Sequence, residues 1–346
     1  MKNIECKIVS KKKYYSHKKI SMKFEIINNT GQDVYIYKWG TPLEGIMTDC
    51  LTVKNSKGKK IEYDGLFIYR EKPDKKAFLF LKNGKKSINE IEISGAYNVS
   101  SGNKYSVECN SRNIMVFSAV DMKIDDFKKR KMPSSLKTVI ENTPAVFEVV
   151  KKGKKKQTIG ENFRKEEKNK FAKKKSDRGL ESVKEPTFEG GTDEQHEITL
   201  RAHRIALDFC ENVLLNFAND ELYNIWFGAH TDSRFQLVKS NFTKIKEGLE
   251  QTQFNYYMTG QNCIAGMVAV TYKGATQIGL CDLFWERSDE ERAAALLHEH
   301  SHASAWTLDY VYGSESCEQL AIDRPDDAIK NADNYEFYVE DTQIPA

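Results

Sequence analysis

The sequence predicts an α+β chain of more than one domain. An amino-terminal antiparallel β-sandwich, residues 1–150, precedes a mainly α domain with a small sheet, residues 189–346, and a lysine-rich segment, 151–188, joins them. Three observations carry this reading. Apolar residues alternate with a period of two up to about residue 150, lysine clusters with few apolar residues follow abruptly, and helical periodicity starts at about residue 198. At 346 residues, 40% hydrophobic and 30% charged, the chain is long enough for two separate cores.

The strand runs of the first half are "IECKIVS", "ISMKFEIINN", "DVYIYKW", "CLTVKN", "LFIYR", "AFLFLKN", "INEIEIS", "KYSVECN", "NIMVFS" and "AVFEVV". Turn signals such as "NNTGQD", "NSKGKK" and "SSGNK" separate them, as a sandwich requires. Residues 151–188 cannot bury enough apolar surface to offset their chain entropy and read as an exposed linker. Beyond it, "ITLRAHRIALDFCENVLLNFAN" and "SRFQLVKSNFTKIKEGLEQ" place apolar residues on one helix face. "FNYYM", "MVAVTYK" and "QIGLCDLFW" then read as three strands of a small sheet. Ser288 and Glu291 have capping-box spacing at the head of "SDEERAAALLHEHSHASAW", a helix rich in alanine and leucine. Two further helices are expected, "ESCEQLAID" and the Pro-initiated "PDDAIKNADNYEFYVED".

The net charge of +3 conceals an asymmetry: residues 181–346 hold 12 Lys and Arg against 29 Asp and Glu, and residues 1–180 hold 41 against 21. Complementary signs within one chain suggest halves that attract one another, or partners of opposite charge. No RRM, KH or zinc-finger signature is present, and the basic residues of the first half alternate with strand apolars as solvent-facing positions do, so no nucleic-acid partner is expected. No apolar run is long enough to span a bilayer, and the amino terminus lacks the apolar stretch of a secretory signal. The seven cysteines include no CxxC pair, and the four in the second half are compatible with two disulfides.

The chemistry concentrates in "HEHSHASAWTLDYVYG", residues 298–313. Four residues apart on a helix, His298 and His302 face the same way and can present nitrogens to one metal ion. Glu299 then points at a metal-bound water, whose pKa zinc lowers towards neutrality, and can carry its proton to a leaving amine. His300 lies about 200° around the helix from His298 and reads as a packing or surface histidine. A third ligand is required. A histidine six residues after the second would serve, but that position is Leu308 and no histidine follows His302, so Asp309, Glu315 and Glu318 are the candidates.

The HExxH pair followed by Thr307, Asp309, Tyr312 and Gly313 resembles the aspzincins, the deuterolysin family of zinc metalloendopeptidases. "NADNYEFYVED" resembles their peptidyl-Lys branch, and "YKWGTPLEGI", residues 37–46, resembles the propeptide domain that precedes such enzymes. The resemblance implies a zincin-type metallopeptidase fold for residues 189–346, one zinc ion held by His298, His302 and Asp309, Glu299 as general base and Tyr312 as hydrogen-bond donor to the oxyanion. Tyr310, beside them, reads as a packed aromatic. The family's usual Gly before the Thr is replaced by Trp306 after a short "ASA", so the turn out of the helix must be made differently.

In the same branch two acidic residues three apart line the S1′ pocket, which assigns Asp333 and Glu336 to a lysine ammonium. The implied reaction is hydrolysis of X–Lys bonds in protein substrates. Lys151, Lys152, Lys154–Lys156 and Lys173–Lys175 would then place preferred sites in the linker, which suggests a zymogen with the amino-terminal domain as its intramolecular inhibitor. The resemblance implies a secreted enzyme. The alternatives are a gluzincin-like site completed by Glu315 or Glu318, and a basic nucleic-acid or membrane-surface binder with a degenerate peptidase domain.

Overall fold

A computed structural model describes residues 2–70, 73–100, 102–122, 135–162, 165, 184–258, 263 and 266–343. The chain divides into two compact units, Met1–Gly65 with Lys72–Asn162, and Leu66–Glu71 with Phe163–Ala346. Both helices and sheets are present, as the α+β reading requires.

The first unit is built of β-strands. One sheet has the order Val139–Thr143, Asn3–Val9, Ser21–Asn28, Lys86–Glu92, a second Val116–Ser118, Val34–Tyr37, Phe78–Leu81, and a third Lys13–Tyr15, Ala145–Val150, Asn103–Cys109, Leu51–Asn55. Period-two alternation sets their faces: along Ser21–Asn28, Met22, Phe24, Ile26 and Asn28 are buried while Lys23 is exposed. The pairing is not purely antiparallel as expected. Val139–Thr143 lies parallel to Asn3–Val9, and Ala145–Val150 parallel to Lys13–Tyr15. These partners are far apart in sequence, so no hairpin fixes their direction.

The first residues of the segment read as linker belong to this unit. Lys156 Nζ pairs with Glu92 Oε1 at 2.7 Å, and the fully buried Thr158 bonds Asp64 through its hydroxyl. Lys173–Lys175 lie outside the described residues.

In the second unit, helices α1 (Asp193–Asn216), α2 (Glu221–Phe227), α3 (Asp232–Gln251), α4 (Asp282–Trp285), α5 (Asp289–His300), α6 (Ser314–Asp323), α7 (Pro325–Ala328) and α8 (Ala332–Thr342) accompany a five-stranded sheet. Its order is Thr187–Glu189, Asn255–Tyr257, Gln277–Leu280, Met267–Tyr272, Leu66–Arg70. The Ser288–Glu291 capping box forms as read, and Ala293–Leu297 of α5 are buried on every side. That run therefore sits at the centre of the core shared with Ala206 of α1, Phe242 of α3 and Tyr335 of α8. No helix among the described residues is long and apolar enough to cross a membrane.

Four expectations are corrected here. "LFIYR" is a strand, but it pairs antiparallel with Met267–Tyr272 in the second unit's sheet, because alternation specifies a strand and not its partner. The strand read in "QIGLCDLFW" stops at Leu280, and α4 follows. The single helix read from Pro325 is two, α7 and α8, separated by Asn331 in an extended conformation. One disulfide forms, Cys263–Cys281, while Cys210 and Cys317 are reduced and buried in the core.

The disulfide closes a sequence separation of 18 residues next to the sheet. Replacing Cys281 by Ser is expected to lower the unfolding free energy by about 3 kcal/mol. Urea denaturation should show that loss, and a thiol reductant should reproduce it in the wild type and add nothing to the variant.

Candidate metal centre

Helix α5 carries His298 on its last turn, and a single π turn, Ser301–Ala305, continues it through His302. Both imidazoles and Glu299 are wholly buried, and Asp309 is 5% exposed. His298 Nε2 and His302 Nε2 lie 3.1 Å apart, and Asp309 Oδ1 is 3.4 and 3.1 Å from them. Ligand atoms around a tetrahedral zinc at its usual bond lengths stand about 3.3 Å apart, so the three fit one ion. Asp309 Oδ1 and Glu299 Oε2 are buried without a hydrogen-bond partner among the described residues, as oxygens meant for a cation and for the water beside it would be.

Neighbours fix the ring orientations. The carbonyl of Thr307, 3.0 Å from His302 Nδ1, accepts a hydrogen bond from an Nδ1–H, which leaves Nε2 a lone pair for a metal. His298 Nδ1 faces Asp333 Oδ1 at 3.0 Å and Glu336 Oε2 at 3.2 Å, both carboxylates being buried. Burial opposes a charge on His298, but Asp309, Asp333 and Glu336 outweigh it and raise its pKa well above the usual range. Burial likewise pushes Glu299 up to about 8, against the opposing effect of His298. For Asp309 the two histidines overcome the effect of burial and hold its carboxyl well below the usual range.

Asp309 is reached by an unusual turn. Trp306 has φ 63° and ψ 33° and is the one non-glycine residue at positive φ among the described residues. The π turn adds a residue to the helix end, and the left-handed Trp306 reverses the chain where the family's glycine would stand. Its indole, 63% exposed, lies under Lys273 Nζ at 5.4 Å. Gly248 on α3 allows the π turn to approach, since a Cβ there would meet Ser304 Oγ at 2.1 Å. The loop is then tied down: Leu308 N–H donates to Lys330 O and Ala332 N–H to Leu308 O, while Asn331 Oδ1 accepts from Tyr310 N–H at 2.7 Å and Val311 N–H at 3.2 Å.

Asp333 Oδ2 accepts from Gly313 N–H at 2.8 Å, so one carboxylate connects the turn after Tyr312 with His298. Tyr312 is buried on this loop. Tyr310 packs against Leu320 and Arg324. Glu315 and Glu318 are exposed on α6 and belong to neither cluster of close ligand atoms, which are His298–His302–Asp309 and His298–Asp333–Glu336. His300 points elsewhere, into a buried chain in which its Nε2 and His203 Nδ1 each lie 2.7 Å from Tyr256 OH.

Two participants were not read from the sequence. Asn331 has no signal beyond its place in "NADNYE". The strand Leu66–Arg70 brings Tyr69, whose amide donates to Glu299 Oε1 at 3.1 Å and whose hydroxyl donates to Glu336 Oε1 at 2.5 Å.

Residues 216–340 match the aspzincin family, described as "Lysine-specific metallo-endopeptidase". An extracellular protease of Aeromonas hydrophila is 26% identical over 336 residues, covering 91% of this chain and 86% of that protein. A peptidyl-Lys metalloendopeptidase of Pleurotus ostreatus is 33% identical over 125 residues, covering 34% of this chain and 72% of that protein. Among solved structures, a zinc peptidase from Grifola frondosa aligns with a TM-score of 0.41 and 26% sequence identity, covering 45% of this chain and 100% of that one.

The turn can be tested directly. Trp306→Gly should fold with stability close to wild type, because glycine accepts positive φ, whereas Trp306→Val should lose about 1–3 kcal/mol. Thermal unfolding of the two variants measures the difference. Metal analysis after dialysis should find zinc retained by Glu318→Ala and lost from Asp309→Ala.

Proposed function

Because the chain belongs to the aspzincin family of lysine-specific zinc metalloendopeptidases, we propose that it hydrolyses peptide bonds on the amino side of lysine, with Glu299 as general base. The observation that carries this reading is the buried set His298, His302 and Asp309 beside Glu299, with two further buried carboxylates next to it.

His298, His302 and Asp309 would hold the zinc, which when bound supplies Lewis acidity to the scissile carbonyl. Glu299 takes a proton from the attacking water and delivers it to the departing amine. Its burial raises the pKa of the carboxyl and so favours the protonated form that hands a proton to the amine. Tyr312 donates a hydrogen bond to the oxyanion that develops on the carbonyl.

Lysine preference rests on charge burial. Asp333 and Glu336 are 3% and 0% exposed, and a cationic guest would offset the cost of ionised carboxylates in so dry a place. A lysine ammonium satisfies them with charge-assisted hydrogen bonds. The amino-terminal unit, read as a β-sandwich propeptide, would keep the chain a zymogen until the lysine-rich segment 151–188 is cut by the enzyme itself. The likeness to an extracellular protease supports secretion.

Digestion of a defined protein by the zinc-loaded chain should give peptides with amino-terminal lysine, and a chelator should abolish them. Mass spectrometry of the new termini reads both, and termini other than lysine would refute the specificity. Glu299→Ala should lower kcat by at least about 10²-fold and leave the chain full-length while wild type is trimmed. Tyr312→Phe should lower kcat by about 10²–10³-fold with KM little changed.

A further inference from the structure

We infer that the strand Leu66–Arg70 is a built-in pseudosubstrate, seated where the scissile peptide lies, with Tyr69 in the place of the substrate lysine. The inference rests on the lysine-endopeptidase reading and identifies the segment that would enforce latency.

The strand forms the edge of the sheet by pairing antiparallel with Met267–Tyr272, which without it would be the edge, Ile68 opposite Val270 and Tyr69 opposite Ala269. Main-chain pairing of this kind seats an extended peptide without regard to its side chains, and pockets then choose among them. The register is that of a substrate. Ile68 N–H donates to Asp309 Oδ2 at 3.3 Å and Tyr69 N–H to Glu299 Oε1 at 3.1 Å. In hydrolysis the nitrogen that must receive a proton from Glu299 is the one leaving the carbonyl, and Tyr69 N stands there. The bond in the scissile position is therefore Ile68–Tyr69.

Side chains agree with this placement. Phe67 stacks on His302 with ring centroids 4.5 Å apart, and Tyr69 lies against His298 at 4.9 Å. The Tyr69 hydroxyl donates to Glu336 Oε1, the carboxylate assigned to the lysine ammonium, while Arg287 stands over the tyrosine ring at 5.2 Å. Tyrosine thus reaches the carboxylate as a neutral donor and brings no compensating charge. Phe67, Ile68, Tyr69 and Arg70 are all at most 7% exposed.

The chain leaves the first unit at Gly65 and returns to it at Lys72, so the strand is tethered at both ends. A tether supplies an effective concentration of millimolar order, so modest affinity suffices for occupancy. Once the 151–188 segment is cut, that advantage ends, and dissociation of the first unit carries the strand away.

The test uses the full-length, zinc-loaded chain as wild type, Tyr69→Lys, Tyr69→Phe and the double variant Tyr69→Lys with Glu299→Ala. In Tyr69→Lys, water adds to the Ile68 carbonyl carbon, the C–N bond to residue 69 breaks, and the proton passes to the new amine. Mass spectrometry should find a fragment whose first residue is the lysine introduced at position 69, absent from the double variant, with no matching cut before the neighbouring Lys72. Tyr69→Phe keeps the ring but loses the bond to Glu336. Before any trimming, it should cleave a fluorogenic lysine peptide several-fold faster than wild type. Either result supports the pseudosubstrate. If neither appears while the same preparations cut an added protein before lysine, the inference falls and the enzymatic reading stands. If the added protein is cut before other residues, the reading falls and takes the inference with it.

Discussion

Glu299, Asp309, Asp333 and Glu336 are held out of water around His298 and His302. Carboxyl groups buried at this density are tolerated only when they are paired, protonated or offset by a cation, and much of the second unit serves to hold them against the two imidazoles. The capping box fixes the start of α5, the π turn carries its end to His302, and Trp306 turns the chain back in a left-handed conformation so that Asp309 arrives within 3.4 Å of both imidazoles. Asn331 and the Leu308 bridge then hold the loop.

One consequence is that, on the proposed assignments, metal binding and substrate choice would share parts. Asp333 and Glu336 face His298 Nδ1, on the side of the ring away from the nitrogen that meets Asp309, so the carboxylates proposed to take lysine would also orient and polarise the proposed metal ligand. A guest that changes the charge balance at these carboxylates changes the basicity of His298 in the same act. On the proposed assignments, specificity and catalysis would form one electrostatic system, which Tyr69 contacts through Glu336.

Local chemistry was readable wherever neighbours in sequence are neighbours in space. The His298–His302 pair, the Ser288 cap, the exclusion of His300 and the long helices α1 and α3 all follow from helical periodicity. What failed did so for one kind of reason. "LFIYR" has the alternation of a strand, yet its partner lies some two hundred residues away, and nothing local names it. The continuous helix read from Pro325 breaks because Asn331 bonds the amides of Tyr310 and Val311 across a loop that no helical pattern describes. Cys210 and Cys317 were countable as a pair but stay reduced and buried in the core, the Cys317 sulfur accepting from Asn331 Nδ2 at 3.5 Å.

The sequence by itself determined the chemical inventory: a helix bearing two histidines and a glutamate, an aspartate soon after, and an acidic pair three residues apart on a later helix. Spacing along a helix is a covalent property, so it survives any arrangement of the rest. Only the tertiary structure decided how a six-residue connection from His302 brings Asp309 to the histidines, and that the acidic pair stands behind His298. It also decided that a strand from the first half of the sequence lies across Glu299. Those outcomes depend on packing, on one strained backbone position and on long-range strand pairing, and these have no local pattern from which to be read.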